Sequence, residues 1–470
     1  MFYNEGASAQ AAALDTMASL GADTIRTLVR WRNFAPAPSS SKPPKKFDAR
    51  VPSNYLTDRW NPLDELVRGA QARGMQVLLT VSGPGPDWAT HCSKSERRKY
   101  RGRCRPNTRL FGQFAQALGR RYSGSYPDES DGRKLPRVSR WSIWNEPNLG
   151  SWLYPQTQRV RRRTVVTGAP TYRNLVYAAT AGLKAAGHGH DQVLLGETAP
   201  MGNGSSQTAP ARFYRELFCV DSHGRRLTGR AASDSGCSHH PRRLAVTGVA
   251  HHPYTRGSGT QFFAKVGADD INISNLSRLS AVMHMGARVG VVPGSLASSI
   301  YLTEFGVSTN PPAKRFSVPP LIQAKMLNQA DYIAYRNRNV RSVAQYELKD
   351  DPNLNRTTFQ TGLCFEASPC DEKLSFRSYR VPLYVVRHGN SVSIFGGARP
   401  GDTGMAEQID IQRDDGQSQS NFTTLKTVPL SSSGWFTATL PYAPGLWRLV
   451  WTPAAGGQTF VSRQAKAETR

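Results

Sequence analysis

The sequence has no long apolar run, and its acidic residues are few beside its basic ones. No stretch of 18 or more apolar residues occurs, so we expect no transmembrane helix. The opening Met-Phe-Tyr-Asn-Glu lacks the basic, apolar and small-residue regions of a signal peptide, and we expect none at this start. Only 34 acidic residues stand against 60 Lys and Arg, a formal net charge of +26. That excess favours an anionic partner, unless it merely reflects an arginine-rich surface.

Disorder is excluded by the apolar content. Hydrophobic residues make up 39% of the 470 positions, and they include nine Trp, 17 Tyr and 18 Phe. Such a chain buries a large core, and its length allows more than one domain.

Cysteine is also scarce, and its spacing is informative. The six cysteines form three local pairs, which are Cys92 with Cys104, Cys219 with Cys237, and Cys364 with Cys370. Short loops closed in this way are typical of disulfides, so we expect a secreted or cell-surface protein. The alternative is a zinc site at Cys237, His239 and His240. It is disfavoured because Cys219 stands alone, whereas zinc ligands usually come in close pairs.

A repeating unit of apolar strand, polar loop and amphipathic helix runs through most of the chain. The predicted strands are 24–31, 77–81, 140–144, 192–195, 245–250, 299–303 and 340–346. The predicted helices lie near 8–20, 61–73, 108–120, 172–186, 209–218, 275–286 and 318–337. This alternation predicts an α/β fold with a parallel sheet, and seven strands are one short of a closed (β/α)8 TIM barrel. Because the chain opens on a helix, we expect the first strand and any signal peptide to lie upstream of Met1; alternatively, residues 2–5 are a remnant of the loop of that strand.

The pattern changes at about residue 381. Short strands separated by Gly, Asp, Ser and Pro follow at 382–386, 391–395, 406–412, 422–428, 434–440 and 446–452. They predict a small antiparallel β-sandwich, and hence a barrel domain over 1–380 and a sandwich domain over 381–470. Its polar tail, 463–470, is expected to be loose. Trp435, Trp447 and Trp451 either bind carbohydrate or pack in the core, and the last two favour the core.

Two glutamates follow predicted strands directly. Glu146, in Asn145-Glu146-Pro147-Asn148, comes after an apolar run, and Glu304 comes after another. In a barrel, the carboxyl ends of the strands carry the chemistry. Two carboxyl groups about 5 Å apart can flank a glycosidic bond, one as acid and one as nucleophile, with retention of configuration. For an isolated glutamate the alternatives are helix capping or pairing with an Arg.

The pair resembles the clan A glycoside hydrolases, and the resemblance covers about residues 1–380. Clan members are (β/α)8 barrels with an acid/base Glu after Asn on strand four and a nucleophile Glu on strand seven. With one missing strand counted, Asn145-Glu146-Pro147 and Glu304 occupy these slots. The segments at 85–89 and 252–254 and the trailing sandwich are most similar to family 39 and related family 5 enzymes. The resemblance implies a retaining glycoside hydrolase with a carbohydrate substrate and no metal or organic cofactor.

The resemblance also implies substrate-binding roles around the two glutamates. Asn145 would hold a sugar 2-hydroxyl, and Arg26 would keep Glu304 ionised unless it only pairs at the barrel rim. His252 and Tyr254 would touch the nucleophile.

Three further residues, Glu197, Trp88 and Tyr346, complete the expected site. Of His251 and His252, one is expected to be a core imidazole. Glu197 would bind a sugar hydroxyl or cap a helix, and Trp88 would stack on a sugar ring or simply pack. Tyr346 stands where clan members often place a Trp as the sugar platform.

Two rival functions remain. One is a carbohydrate-binding barrel that is catalytically impaired and adheres to an anionic polymer. The other is nucleic-acid binding, which is disfavoured because no nucleic-acid motif or aromatic-basic interleaving appears. Basic clusters weakly indicate an acidic glycan, and we expect a monomer. These clusters are Arg97, Arg98, Lys99, Arg101, Arg103 and Arg105, then Arg159, Arg161, Arg162 and Arg163.

Overall fold

The chain contains a parallel sheet flanked by helices and, after it, two antiparallel sheets. The computed structural model describes residues 6–160, 163–202, 204–255, 266–352, 359–365, 370–401, 403–414 and 421–469. In chain order its first nine strands are β1 (Thr24–Arg30), β2 (Gln76–Ser82), β3 (Arg140–Ile143), β4 (Thr157–Val160), β5 (Arg163–Val166), β6 (Gln192–Thr198), β7 (Gly248–His251), β8 (Ile300–Phe305) and β9 (Val340–Gln345). Seven of them form one parallel sheet in the order β1-β2-β3-β6-β7-β8-β9.

Helices connect these strands. They are α1 (Ala7–Ser19), α2 (Trp31–Phe34), α3 (Thr57–Gln71), α4 (Lys94–Tyr100), α5 (Thr108–Arg121), α6 (Gly168–Ala185), α7 (Pro210–Phe218), α8 (Gly229–Asp234), α9 (Ser277–Arg288), α10 (Pro320–Arg336) and α11 (Leu374–Arg380). Glycines let neighbouring helices approach closely, since a Cβ on Gly182 of α6 would lie 2.0 Å from the carbonyl oxygen of Gly112 in α5. A methyl group at that point would push the two helices apart.

The inner strands are apolar because both faces of the sheet are covered. In β2 every residue after Gln76 is buried, and in β7 all four are. The outer strand β9 differs, since none of its six residues is fully buried. The expected seven parallel strands are therefore confirmed, with β1 and β9 at the edges. Residues 2–5, considered as a remnant of the loop of a further strand, lie outside the described residues.

Short elements were missed by the sequence analysis. They are the hairpin β4–β5 and the helices α2, α4, α8 and α11, none longer than seven residues. For α4 a local signal exists. Ser93 accepts a hydrogen bond from the backbone of Glu96, whose carboxylate accepts one from the backbone of Ser93. This capping box is legible as Ser-x-x-Glu.

The strands after residue 381 form two four-stranded sheets, as expected of a sandwich. They are β10 (Leu383–His388), β11 (Ser391–Gly397), β12 (Gln408–Asp414), β13 (Phe422–Pro429), β14 (Trp435–Pro441), β15 (Trp447–Trp451), β16 (Phe460–Val461) and β17 (Glu468–Thr469). One sheet has the order β14-β11-β10-β17 and the other β13-β12-β15-β16. Trp447 and Trp451 are 1% exposed in the core between them, so the packing alternative is correct for both. A domain boundary near residue 380 stays a prediction.

The expectation of a loose tail is wrong. Trp447 and Ala465 exchange backbone hydrogen bonds, and β17 pairs with β10. Arg463 donates to the carbonyl oxygen of Leu383 at 2.7 Å. Polar composition misled the prediction because a strand that adds to a sheet edge gains its hydrogen bonds from the backbone.

All three cysteine pairs are disulfide-bonded as predicted. Because Cys237 is bonded to Cys219, the zinc alternative fails for want of a free thiolate. The described residues contain no group of three or more His, Cys, Asp or Glu that could hold a metal ion. Among the helices that the structure describes, none has both the length and the apolar character that crossing a membrane requires.

Candidate active site

The carboxyl ends of the sheet strands bring two glutamates and an asparagine together around one arginine. The side chain of Arg26, from β1, is 9% exposed. Its Nη2 lies 2.6 Å from Oε2 of Glu197, and its Nη1 lies 2.5 Å from Oε1 of Glu304. Nη2 also donates to Oδ1 of Asn145 at 2.7 Å. Burial alone would lower the pKa of Arg26, but the charges of Glu197 and Glu304 raise it, so the guanidinium stays cationic.

His252 lies between two glutamates. Its Nδ1 is 3.2 Å from Oε1 of Glu146 and 3.4 Å from Oε2 of Glu304. The imidazole is buried, which would lower its pKa, but the carboxylates of Glu304 and Glu146 outweigh that cost and raise the pKa above its ordinary value. The protonated ring is thus stabilised between the two acids.

His251, the neighbouring residue, has a different environment. Its Nδ1 is 2.9 Å from the hydroxyl of Thr198, and its Nε2 is 3.0 Å from the carbonyl oxygen of Ile271. Complete burial lowers its pKa to about 3. His251 is therefore the core imidazole of the pair, and His252 belongs to the site.

Two tyrosines border Glu304. Tyr254 donates its hydroxyl hydrogen to Oε2 of Glu304 at 3.2 Å. The backbone N–H of Tyr346 donates to the carbonyl oxygen of Phe305, the residue after Glu304. Burial first, and then the charge of Glu304, raise the pKa of both phenols well above the ordinary value. Both therefore remain hydrogen-bond donors near Glu304.

Glu146 has a contact that the sequence analysis missed. Trp152 donates its indole N–H to Oε2 of Glu146 at 3.1 Å, while His252 occupies Oε1. The only sequence signal is a Trp six residues after the glutamate. The half-buried Trp152 ring thus holds one oxygen of the proposed acid/base residue.

The backbone around these carboxylates is strained. Trp144, Glu146 and Glu197 have φ angles of 67°, 42° and 60°, in the region that favours glycine. Non-glycine residues in this region cost on the order of 1–3 kcal/mol each and concentrate at functional sites. The backbone N–H of Glu146 donates to the carbonyl oxygen of Glu197 at 3.0 Å, which ties two of these positions together.

Glu197 takes neither of its expected roles. It is completely buried and bonds to Arg26 through both oxygens, with Oε1 also accepting the hydroxyl hydrogen of Thr80 at 2.8 Å. It therefore neither faces a substrate nor caps a helix. Its function in the site is to fix the position of Arg26.

Trp88 does not belong with the site residues. It is 8% exposed, its indole N–H donates to the carbonyl oxygen of Pro36, and its ring contacts Trp31 and Phe47 edge-on. A ring buried on both sides offers no face to a sugar, so the packing alternative is correct.

Glu347 is a further acidic residue that the sequence analysis passed over. It follows Tyr346 and is partly exposed at the same end of the sheet. Burial of its carboxyl raises the pKa to about 7. Of the second basic cluster, Arg159 and Arg163 lie on the hairpin β4–β5, and Arg161 and Arg162 lie outside the described residues.

The fold, though not the sequence, has known counterparts. No protein-family model matches the chain, and no curated protein sequence matches it. A glucosidase from Croceicoccus marinus is similar in structure, with a TM-score of 0.52, 12% identity and coverage of 96% of this chain and 91% of that one. This confirms the barrel-like fold with its β-sandwich that the clan A resemblance implies. At this identity the likeness shows the fold alone.

Two further solved structures are less similar to the chain. An endo-β-1,4-mannanase from Thermotoga petrophila has a TM-score of 0.42 and 12% identity, over 100% of this chain and 96% of that one. A β-glucuronidase from Bacteroides uniformis also has a TM-score of 0.42, with 11% identity over 99% of this chain, which spans only 44% of that protein.

Proposed function

We propose that the protein is a retaining glycoside hydrolase in which Glu146 is the acid/base and Glu304 the nucleophile. The observation that carries this proposal is the position of His252 Nδ1, 3.2 Å from an oxygen of Glu146 and 3.4 Å from one of Glu304. These two oxygens are thus at most 6.6 Å apart, the sum of the two distances. Retaining enzymes separate their carboxyl groups by about 5 Å and inverting enzymes by roughly 6.5–9.5 Å, so this upper limit excludes nearly all of the inverting range and supports retention.

In the first step Glu304 attacks the anomeric carbon. A bond forms between a Glu304 oxygen and that carbon while the bond to the leaving oxygen breaks, and Glu146 gives that oxygen its proton. Arg26 and Tyr254 hold the two oxygens of Glu304 and stabilise its carboxylate form before attack. Arg26 also takes Oδ1 of Asn145, which leaves the amide N–H groups of Asn145 for a substrate hydroxyl.

In the second step water releases the sugar. Glu146, now a carboxylate, takes a proton from water, and the oxygen of that water replaces Glu304 at the anomeric carbon. Before the reaction, Trp152 donates to Oε2 of Glu146, and His252 lies beside Oε1. The net reaction is hydrolysis with retained configuration. Three disulfides support an extracellular or cell-surface setting for it.

The test is chemical rescue of a nucleophile variant on substrates found by screening aryl glycosides and polysaccharides. Glu304→Ala should reduce turnover by roughly 10⁴-fold or more, as loss of a covalent nucleophile does. Azide should restore activity and yield a glycosyl azide of inverted configuration. Glu65→Ala, which removes an exposed glutamate of α3, is the matched control and should be unaffected.

Two results would contradict the proposal. Full activity of Glu304→Ala would refute the nucleophile assignment. Binding of polysaccharide by the wild-type chain, without turnover of any substrate in the screen, would favour the carbohydrate-binding alternative.

A further inference from the structure

Arg30, at the carboxyl end of β1, belongs to a stack that leads to Glu146. The carbon at the centre of its guanidinium lies 5.3 Å from the centroid of the Trp152 ring, in cation–π geometry. The indole N–H of Trp152 in turn donates to Oε2 of Glu146. Arg30 is therefore one side chain removed from the proposed acid/base residue.

Arg30 is distinguished from nearby arginines by its lack of an acidic partner. Arg26 pairs with Glu197 and Glu304, and Arg32 pairs with Asp87 at 2.7 Å. Among the described residues, no acidic side chain forms an ion pair with Arg30, and its buried Nε has no hydrogen-bond partner. A partly buried cation without an anion costs free energy, and a bound anion would remove that cost.

The segment that carries Trp152 is anchored through Tyr154, two residues further along the chain. The rings of Tyr154 and Tyr100 stack with centroids 3.8 Å apart. The backbone of Tyr154 donates to Arg103 and accepts from Arg105, at 2.9 Å each, and the Cys92–Cys104 disulfide closes the loop that carries them. These contacts fix the segment that presents the Trp152 ring to Arg30, so the surface on which the guanidinium lies is preorganised.

We propose that Arg30 is a specificity residue that binds an anionic group, a carboxylate or a sulfate, on the leaving group of the substrate. This inference rests on the proposed glycosidase function. Trp152 bonds to Glu146, and no described contact joins it to Glu304, so the stack adjoins the acid rather than the nucleophile. The leaving group departs on that side of the scissile bond, since Glu146 protonates its oxygen.

The chemistry of the side chain fits this role. A guanidinium presents parallel N–H groups that match two oxygens of a carboxylate or a sulfate. The net charge of +26 would attract such a substrate over a longer range. Acidic glycans are therefore the substrate class that this geometry favours.

The experiment uses the full chain and aryl glycosides whose leaving phenols differ only at the para position. The substituents are carboxylate, sulfonate and uncharged carboxamide, each on a xyloside, a glucoside and a glucuronide. For a glycone that is hydrolysed, wild type should prefer at least one charged phenol over the carboxamide by roughly 10-fold in kcat/KM, the scale of one charge-assisted hydrogen bond. Added salt should weaken that preference.

Variants assign the effect to one residue. In Arg30→Gln the ratio of charged to uncharged phenol should fall to about one-tenth of its wild-type value. Comparing ratios between proteins cancels the intrinsic reactivity of each phenol. Arg230→Gln, which removes an exposed arginine of α8 and the same unit of charge, should keep the wild-type ratio. Preference for carboxylate alone identifies a uronic acid as the source of the anion. Preference for sulfonate alone identifies a sulfate ester as that source.

Three results would overturn the inference. Equal hydrolysis of charged and uncharged phenols, or a preference that persists in Arg30→Gln, refutes the role of Arg30 and leaves the glycosidase proposal intact. A preference for glucuronide over glucoside that depends on Arg30, without a leaving-group effect, places the anion on the glycone and not on the leaving group. Absence of hydrolysis in every series removes the proposed function and this inference with it.

Discussion

Arg26 and Glu197 form a buried ion pair in which Nη2 of the guanidinium lies 2.6 Å from Oε2 of the carboxylate. The same guanidinium binds Glu304 and Asn145. One cation, fixed by a completely buried carboxylate, therefore positions two residues of the proposed reaction.

Glu197→Gln should destabilise the protein by about 3 kcal/mol, because it leaves the buried charge of Arg26 partly uncompensated. It should also lower kcat, since Arg26 then loses its fixed position beside Glu304. Urea unfolding and steady-state kinetics measure the two effects. The loss of unfolding free energy in the double variant with Arg26→Met should be smaller than the sum of the losses in the two single variants. Strict additivity of these losses would contradict the coupling.

Trp152→Phe keeps an aromatic ring, although a smaller one, and removes the donor to Glu146. Loss of this charge-assisted hydrogen bond should slow glycosides with poor leaving groups by roughly 10-fold or more. Activated aryl glycosides, which need little protonation, should be affected far less. The slope of log kcat/KM against the acidity of the leaving phenol measures this difference. An unchanged slope would show that Trp152 serves packing only.

His252 should make stability depend on pH in a definite direction. Because its folded pKa is raised above 6.5, its contribution is complete below that value and is lost as pH rises through the folded pKa. The groups facing it are Glu146, Glu304, Glu197 and Arg26.

The measurement compares urea unfolding of wild type and His252→Asn from about pH 6 to about pH 9. The stability difference should be largest at the low end and shrink with rising pH. His223→Asn, at an exposed loop histidine, should show no such trend. A difference that grows with pH would contradict the assignment.

Lys373→Met should destabilise the fold by about 3–5 kcal/mol, the cost of breaking a buried pair. Nζ of Lys373 lies 2.6 Å from Oδ1 of Asp350, and the two residues are 2% and 4% exposed. Adding Asp350→Asn should recover part of the loss, because the orphaned charge is removed. Unfolding by urea measures both, with Lys184→Met on the exposed face of α6 as the control.

Structural features could be predicted from the sequence wherever they depend on residues close together in the chain. Glu146 and Glu304 could be identified because each directly follows an apolar run. The carboxyl ends of the strands in a parallel sheet lie at one edge, so these residues were expected to lie together. Glu197 was found by the same pattern, yet its role was misread, since nothing near it in the chain reveals that Arg26 lies beside it. For Trp88 the sequence left stacking and packing open, because its burial depends on Trp31 and Phe47, far from it in sequence.

The chain by itself therefore determined the alternation of strands and helices, the strand-end glutamates, the three disulfide pairs and the excess of positive charge. Tertiary structure alone decided which charges are paired. Arg26 meets Glu197 across 171 positions and Glu304 across 278, whereas Arg30, four residues later, meets no acid among the described residues. The physical reason is that local pattern depends on neighbours along the chain, while an ion pair depends on which strands become neighbours in the sheet.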